Sequence, residues 1–282
     1  MLILGASGML GNAVLRFLSD GPDASVWGTV RSPKALEFLP ASLHERLIPD
    51  IDVEDSDGLG RLFDRVQPGV VINCIGVVKQ LALADDPLVV IPINTLLPHR
   101  LARLCEGANA RFIHISTDCV FSGNKGMYRE DQPSDPTSLY GMSKYLGEVD
   151  YPHAVTLRTS IIGHELANPH GLVGWFLAER GRVNGYTRAI FSGLPTVELA
   201  RVIRDYVLPR PELTGVYHVS AEPISKYDLL RLVAQEYGKS TEIVPDESLV
   251  IDRSLDSSRF RAITGYVPPS WPELVRTMRE FG

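Results

Sequence analysis

The chain opens Leu2-Ile3-Leu4-Gly5-Ala6-Ser7-Gly8-Met9-Leu10-Gly11 after its first methionine. Three apolar residues make a brief buried strand, and a helix is expected from about Gly11 to Ser19. Between them the glycines follow G-x-x-G-x-x-G, which permits a tight turn and a close backbone approach. The start of the helix offers N–H groups to a pyrophosphate. The spacing differs by one residue from the common G-x-G-x-x-G fingerprint. Glycines alone would also suit a plain βα turn, but their place directly after an opening strand favours a dinucleotide. Gly5, Ser7, Gly8, Met9, Leu10 and Gly11 are its expected contacts.

Outward from this turn, short apolar runs alternate with helical patterns, the mark of βαβ units and a parallel sheet. Strands are expected at Ser25 to Val30, Arg46 to Ile48, Val70 to Ile75, Phe112 to Ile115 and Ala154 to Leu157. Helices are expected at Asp55 to Val66, Asp86 to Asn109 and Ser138 to Val149. Pro87, Pro92 and Pro98 put the straightness of the second of these in question. Beyond about Ser160 the elements shorten. Helices are expected at Leu172 to Ala178, Val197 to Val207, Lys226 to Tyr237 and Pro272 to Phe281, with a strand at Val216 to Val219. The fold class is α/β, a doubly wound parallel sheet of the Rossmann type with a smaller C-terminal substrate-binding lobe. The expected boundary sets residues 1–160 as the dinucleotide-binding domain and 161–282 as mostly the lobe, with some elements returning to the sheet.

Composition narrows the function. Of 282 residues, 44% are hydrophobic and 22% charged, which excludes disorder and collagen-like repeats. A formal net charge of −6 argues against a broad nucleic-acid surface but leaves room for a local anion site. Cys74, Cys105 and Cys119 are widely spaced, with no CxxC pair, and read as reduced thiols rather than a disulfide framework or a metal site. No apolar run approaches the roughly 20 residues that span a bilayer, and no targeting pattern is visible, so a cytoplasmic protein is expected.

The second strand ends Val30-Arg31-Ser32, without the acid that would hold a ribose 2′-hydroxyl. A cation there suits a 2′-phosphate, so NADP(H) is expected ahead of NAD(H), with Arg31 and Ser32 in contact. Arg31 also has the bland reading of a solvated loop arginine. Asp52 and Val53 follow the third strand as adenine contacts, or as a loop aspartate capping the next helix. Tyr140-Gly141-Met142-Ser143-Lys144 sets Tyr140 and Lys144 on one helical face. A phenol near pKa 10 transfers protons poorly at neutral pH, and an adjacent ammonium is expected to lower it. Such a pair alone is usually a solvated face. What changes the reading is Ser116-Thr117-Asp118 at the carboxyl end of the preceding strand, where open α/β sheets bind ligands.

These stretches, together with Cys119-Val120-Phe121-Ser122-Gly123, Leu157-Arg158-Thr159-Ser160 and Gly193-Leu194-Pro195-Thr196, resemble the extended short-chain dehydrogenase/reductase family over essentially the whole chain. The likeness is nearest to its sugar-nucleotide 4-ketoreductases. The resemblance implies that Thr117 orients a substrate carbonyl, Tyr140 donates a proton, and Lys144 binds the nicotinamide ribose and tunes Tyr140. It further implies that Cys74, Ile75, Gly76 and Ser116 line the cofactor, and that Asn94 matches a helix asparagine of the family's site. A buried asparagine bonding backbone is the competing reading of Asn94. The implied reaction is reduction, by NADPH, of the 4-keto group of a nucleotide-linked 6-deoxy-hexulose, in surface-polysaccharide biosynthesis. A homodimer through the helices flanking the site is also implied.

Several residues depart from that pattern. Cys119 stands where the family's dehydratases have glutamate, which argues against dehydration. A cysteine there, paired with His164 or His170, would instead suit an epimerase-reductase of the GDP-fucose synthase type. A packed thiol is the alternative. Lys79, Asp118, Cys119, Phe191, Ser192 and Arg253 are the expected substrate contacts, each with an ordinary surface, turn or core reading beside it. A UDP-linked 2-acetamido sugar suits these departures as well as a dTDP sugar does. A regulatory subunit of methionine adenosyltransferase also resembles these reductases, so a non-catalytic binding role stays open.

Overall fold

Seven parallel strands form the central sheet of the computed structural model, which describes residues 1–21, 25–78, 84–167 and 171–282. The chain enters at β1 (Leu2–Leu4), crosses by α1 (Met9–Ser19) to β2 (Trp27–Thr29), and reaches β3 (Leu47–Ile48) through two short 3-10 helices. α2 (Ser56–Val66) carries it back to β4 (Val70–Asn73) on the other side of β1. A composite helix follows: α3 (Pro87–Val90), a π-helical turn (Ile91–Leu96) and α4 (Leu97–Gly107). It leads to β5 (Arg111–Thr117), and α5 (Leu139–Leu146) leads on to β6 (Ala154–Thr159).

The remaining elements are β7 (Ile161–Ile162), α6 (Leu172–Ala178), β8 (Arg182–Tyr186), β9 (Ala189–Phe191), β10 (Leu194–Pro195), α7 (Thr196–Val202) and β11 (Gly215–His218). After them come β12 (Ile224–Ser225), α8 (Lys226–Glu236), β13 (Glu242–Asp246), β14 (Ile251–Asp252), α9 (Ser258–Thr264) and α10 (Trp271–Phe281). Across the main sheet the order is β11-β6-β5-β4-β1-β2-β3. The direction of winding reverses between β1 and β4, which is where open sheets of this kind bind their ligands.

The strand residues explain the double layer. Leu2, Leu4, Val71, Phe112 and Ala154 point to one core, shared with Leu59, Leu62, Phe63, Leu97 and Leu101 of the helices on that face. Ile3, Ile72, Ile113 and Val155 alternate to the opposite core, against Val14, Leu199, Val202 and Met278. A strand covered on both faces favours apolar residues on both sides, which is why β1 and most of β4 read as unbroken apolar runs. The second core draws on α1, α7 and α10 together, and β11 pairs in parallel with β6.

The expected helix from Asp86 to Asn109 is broken rather than straight. Asp86 caps it, its carboxylate accepting from the Leu88 N–H at 2.9 Å. Pro92 and Pro98 lack the N–H groups that would bond the carbonyls four residues earlier, and the backbone widens into the π turn between them. α5 stops at Leu146, short of the expected Val149, because Gly147 caps it. β7 to β10, β12 to β14 and α9 fall between the expected elements. Among the described residues no helix is long and apolar enough to cross a membrane.

Candidate active site

The glycine turn is built by contact of backbone on backbone. Gly5 adopts φ 82°, a left-handed conformation open to glycine at little cost. Its N–H donates to Thr29 Oγ1 at 3.3 Å, and Ala6 N–H donates to the Thr29 carbonyl at 2.9 Å. A Cβ on Gly11 would overlap the Gly5 carbonyl, so α1 can start here only with glycine at that position. The first turn of α1 carries no acidic residue, and Gly8 at its cap provides no side-chain acceptor. Its N–H groups therefore face outward with an unopposed positive dipole end, which fits a pyrophosphate. Ser7 and Met9 are half-buried and Gly8 exposed, whereas the Leu10 side chain belongs to the core. The Met9 thioether reaches toward Gly163 and Gly171, so the segment after β7 lies over the turn.

At the tip of β2, Arg31 and Ser32 are exposed. The Ser32 hydroxyl accepts from Lys34 N–H at 3.3 Å, which adds a second exposed cation that the sequence reading did not name. Asp52 accepts from Glu54 N–H at 2.9 Å in the manner of a turn cap, and Val53 packs partly against the core. Beyond β4, buried Asn73 accepts from Ile75 N–H at 3.1 Å and fixes the Cys74-Ile75-Gly76 turn against Gly5. Burial pushes the Cys74 thiol up to about 12, so it stays protonated. Asn94 sits on the π turn, where it bonds backbone as one of its two expected readings required. Its side chain bonds the N–H and carbonyl of Val77 at 2.9 and 3.0 Å and donates to Ser143 Oγ at 3.2 Å. That ties the loop after β4 to α5. A Cβ on Gly76 would come within 3.4 Å of Asn94 Oδ1, so glycine keeps this wall of the cleft low. Lys79 lies outside the described residues.

β5 delivers Ser116 and Thr117 to the carboxyl edge of the sheet. The Thr117 hydroxyl donates to Asp118 Oδ1 at 3.2 Å and accepts from Cys119 N–H at 3.2 Å. It also shares a hydrogen bond with the Tyr140 phenol. α5 can approach this closely because Gly141 lies on the Cys119 carbonyl, where any Cβ would overlap. One turn further along the helix, Lys144 is 5% exposed and donates to the Ile115 carbonyl at 2.7 Å. Burial brings its ammonium down to about 8, with Glu148 and Cys74 pulling the other way.

The expected lowering of the Tyr140 phenol by Lys144 is not what the ligand-free arrangement produces. Burial raises that phenol well above its ordinary value, Cys119 and Asp118 push it further, and only the Thr117 hydrogen bond opposes them. Tyr140 is thus held protonated at neutral pH, the state a proton donor needs.

Beneath this group lies a buried polar cluster that sequence reading missed. Ser116 Oγ donates to Glu148 Oε1 at 2.7 Å. Arg158, near the carboxyl end of β6, grips the same carboxylate with Nε at 2.8 Å and Nη2 at 2.7 Å. His218 of β11 completes the chain, its Nε2 lying 3.3 Å from Arg158 Nη1 while Nδ1 donates to the Tyr128 carbonyl. Burial takes the His218 imidazolium down to about 3, so the ring is neutral and accepts from the guanidinium. A charged residue inside an otherwise apolar central strand was the available signal.

The expected substrate contacts separate. Asp118 is partly exposed beside Thr117, and Cys119 is buried in the 3-10 turn that follows it. Arg253 reaches the loop beyond that turn, with Nε donating to the Phe121 carbonyl at 2.8 Å. Phe191 is buried against Trp271, and the buried Ser192 hydroxyl accepts from Leu255 N–H at 3.0 Å, so both belong to the packing of the second half. The His164 ring is paired with the Tyr237 hydroxyl at 2.8 Å, and burial, with Arg16 nearby, lowers its affinity for a proton. His170 lies outside the described residues.

With this geometry established, likeness to known proteins becomes informative. The family model described as the RmlD substrate binding domain matches residues 1–280. A dTDP-4-dehydrorhamnose reductase from Aggregatibacter actinomycetemcomitans is 24% identical over 306 residues, covering 100% of this chain and 98% of that protein. The probable low-salt glycan biosynthesis reductase Agl14 of Haloferax volcanii is 32% identical over 178 residues, covering 61% of this chain and 57% of its own length. Methionine adenosyltransferase 2 subunit beta of Danio rerio is 28% identical over 261 residues, covering 87% and 76%. Among solved structures, that of a hypothetical dTDP-4-dehydrorhamnose reductase from Sulfolobus tokodaii superposes with a TM-score of 0.77 at 26% identity, covering 96% of this chain and 97% of its own.

Proposed function

The chain belongs to the RmlD substrate binding domain family, and from that premise we propose that it is a sugar-nucleotide reductase of polysaccharide biosynthesis. In this reading it reduces the 4-keto group of a nucleotide-linked 6-deoxy-hexulose with NADPH. The observation that carries the proposal is the convergence of Thr117, Tyr140 and Lys144 at the carboxyl edge of β5, next to the glycine turn. The outward-facing N–H groups of α1, the glycine-on-glycine contact and the low wall at Gly76 all fit a dinucleotide.

When bound, NADPH supplies the hydride that adds to the carbonyl carbon. The protein's own part is position and proton. Thr117 holds the carbonyl oxygen, and Tyr140 gives its phenolic proton to that oxygen as it becomes a hydroxyl. Lys144 binds the ribose hydroxyls, and its ammonium stabilises the phenolate left behind. Asp118 and Arg253 stand at the substrate side, and residues 161–282 form most of the sugar-binding lobe. A homodimer is supported by exposed Leu88, Leu96, Met142 and Leu146, which crowd the two helices beside the site.

Loss of NADPH absorbance, followed with dTDP-, UDP- and GDP-linked 4-keto sugars, tests the proposal. Turnover is expected with at least one dTDP- or UDP-linked sugar, and none on any member of the panel would overturn it. Retained NADPH binding without turnover would instead favour a regulatory role, the reading that the likeness to methionine adenosyltransferase 2 subunit beta supports.

Cofactor choice gives a second expectation. A charge-assisted hydrogen bond is worth about 1.5–3 kcal/mol, so Arg31→Ala should weaken NADPH roughly tenfold or more and leave NADH nearly unchanged. Equal effects on the two cofactors, measured by fluorescence titration, would remove Arg31 from the 2′-phosphate site.

A further inference from the structure

Glu148 lies just past the end of α5, one helical turn beyond Lys144, and its side chain is 6% exposed. Its direction is fixed from several sides. Gly147, before it, packs on the Asn94 carbonyl so closely that a Cβ would overlap the oxygen. Pro98 removes the N–H that would have occupied that carbonyl in a regular helix, so the break in the composite helix makes the surface on which α5 ends. Glu148 N–H closes the turn on the Tyr145 carbonyl at 3.2 Å. Inside, Ser116 and Arg158 take up the carboxylate oxygens.

The carboxylate forms a bidentate ion pair with Arg158, and its Ser116 partner on β5 adjoins Ile115, whose carbonyl holds Lys144. Around Lys144 the other groups supply little charge. Cys74, at the end of β4, is held protonated. His114, below it on β5, is held neutral by burial and by Lys144 itself. The Ile115 carbonyl offers a dipole only. Among the described residues Glu148 is therefore the carboxylate acting on the lysine, and Arg158 touches it from the far side.

We propose that Glu148 is a positioning residue for Lys144: clamped by Arg158 and Ser116, its carboxylate holds the lysine in the ammonium form. The inference builds on the reading of Lys144 as a cofactor-binding ammonium, and its test separates the two. Burial alone would make the lysine a neutral amine over much of the physiological range. A neutral amine neither stabilises a phenolate nor holds a ribose as an ammonium does. Glu148 thus sets the upper pH limit of the site while touching neither cofactor nor substrate.

The direct measurement is competitive acetylation of Lys144 against pH in the ligand-free protein, read by peptide mass spectrometry. The wild-type midpoint is expected at about 8. Glu148→Gln should move it down by about one unit or more, the effect of losing a close opposite charge. A midpoint unchanged in Glu148→Gln overturns the proposal. Should that variant fail to fold, the double variant Glu148→Gln with Arg158→Gln leaves no guanidinium stranded beside a neutral amide. Its midpoint should also fall, by less than in the single variant because the repulsion from Arg158 is lost together with the attraction of Glu148, and an unchanged midpoint overturns the proposal. In the active enzyme the basic limb of kcat/KM for NADPH should move by the same amount. If no sugar is turned over, the reductase reading fails, while the acetylation midpoint still decides the role of Glu148.

Discussion

Tyr140→Phe is expected to lower kcat by roughly 10²–10⁴-fold, with the KM for NADPH within about twofold of wild type. The substitution keeps the ring and removes only the proton donor. Burial holds that donor protonated, so nothing in the ligand-free site prepares a phenolate. The reductive direction needs the protonated form, and the pH dependence follows from this. Tyr140 stays neutral throughout the usual assay range, so the basic limb belongs to Lys144. The ammonium is present below its pKa of about 8 and is lost as pH rises through it. Steady-state kinetics between pH 6 and 9 would check both points. Undiminished turnover in Tyr140→Phe would remove the phenol from the proton step.

The second large effect is on stability. Arg158→Met should cost about 3–5 kcal/mol of unfolding free energy, because it strands the Glu148 carboxylate in the interior. Two charge-assisted hydrogen bonds go with the guanidinium, and His218 Nε2 loses its donor. Adding Glu148→Gln should recover part of the loss, since the stranded carboxylate is then removed. Urea denaturation of the single and double variants is the measurement. A loss below about 1 kcal/mol for Arg158→Met would mean that water reaches the pair.

Much of this arrangement was legible before any coordinates. Leu2-Ile3-Leu4, Val70 to Asn73 and the apolar core of β5 announce themselves because strands buried on both faces admit few polar residues. The glycine turn and the Tyr140/Lys144 spacing are local patterns, and their geometry follows from helix and turn rules. The parts not legible depend on distant partners. Nothing near Glu148 says that Arg158 will face it, or that His218 will arrive from β11 to finish the cluster. Ser192 sits beside a conspicuous glycine, yet its hydroxyl is committed to the backbone of Leu255. The prolines at 92 and 98 foretold a break in the helix but not its form. A π turn is a compromise between missing donors and the need to keep Asn94 facing Val77. Strands of two residues, such as β10 and β14, are too short to show a period at all.

In the proposed reaction this site moves a hydride to a sugar carbonyl and a proton from Tyr140 to its oxygen. It is tested most directly by running the reaction with NADPH carrying deuterium at the transferable position and locating the label by NMR. Deuterium is expected at C4 of the product sugar, with none entering C3 or C5 when the solvent is D2O. Solvent deuterium at C3 or C5 would contradict a simple reductase and point to proton exchange at Cys119. Label retained entirely in the nicotinamide would contradict hydride transfer itself.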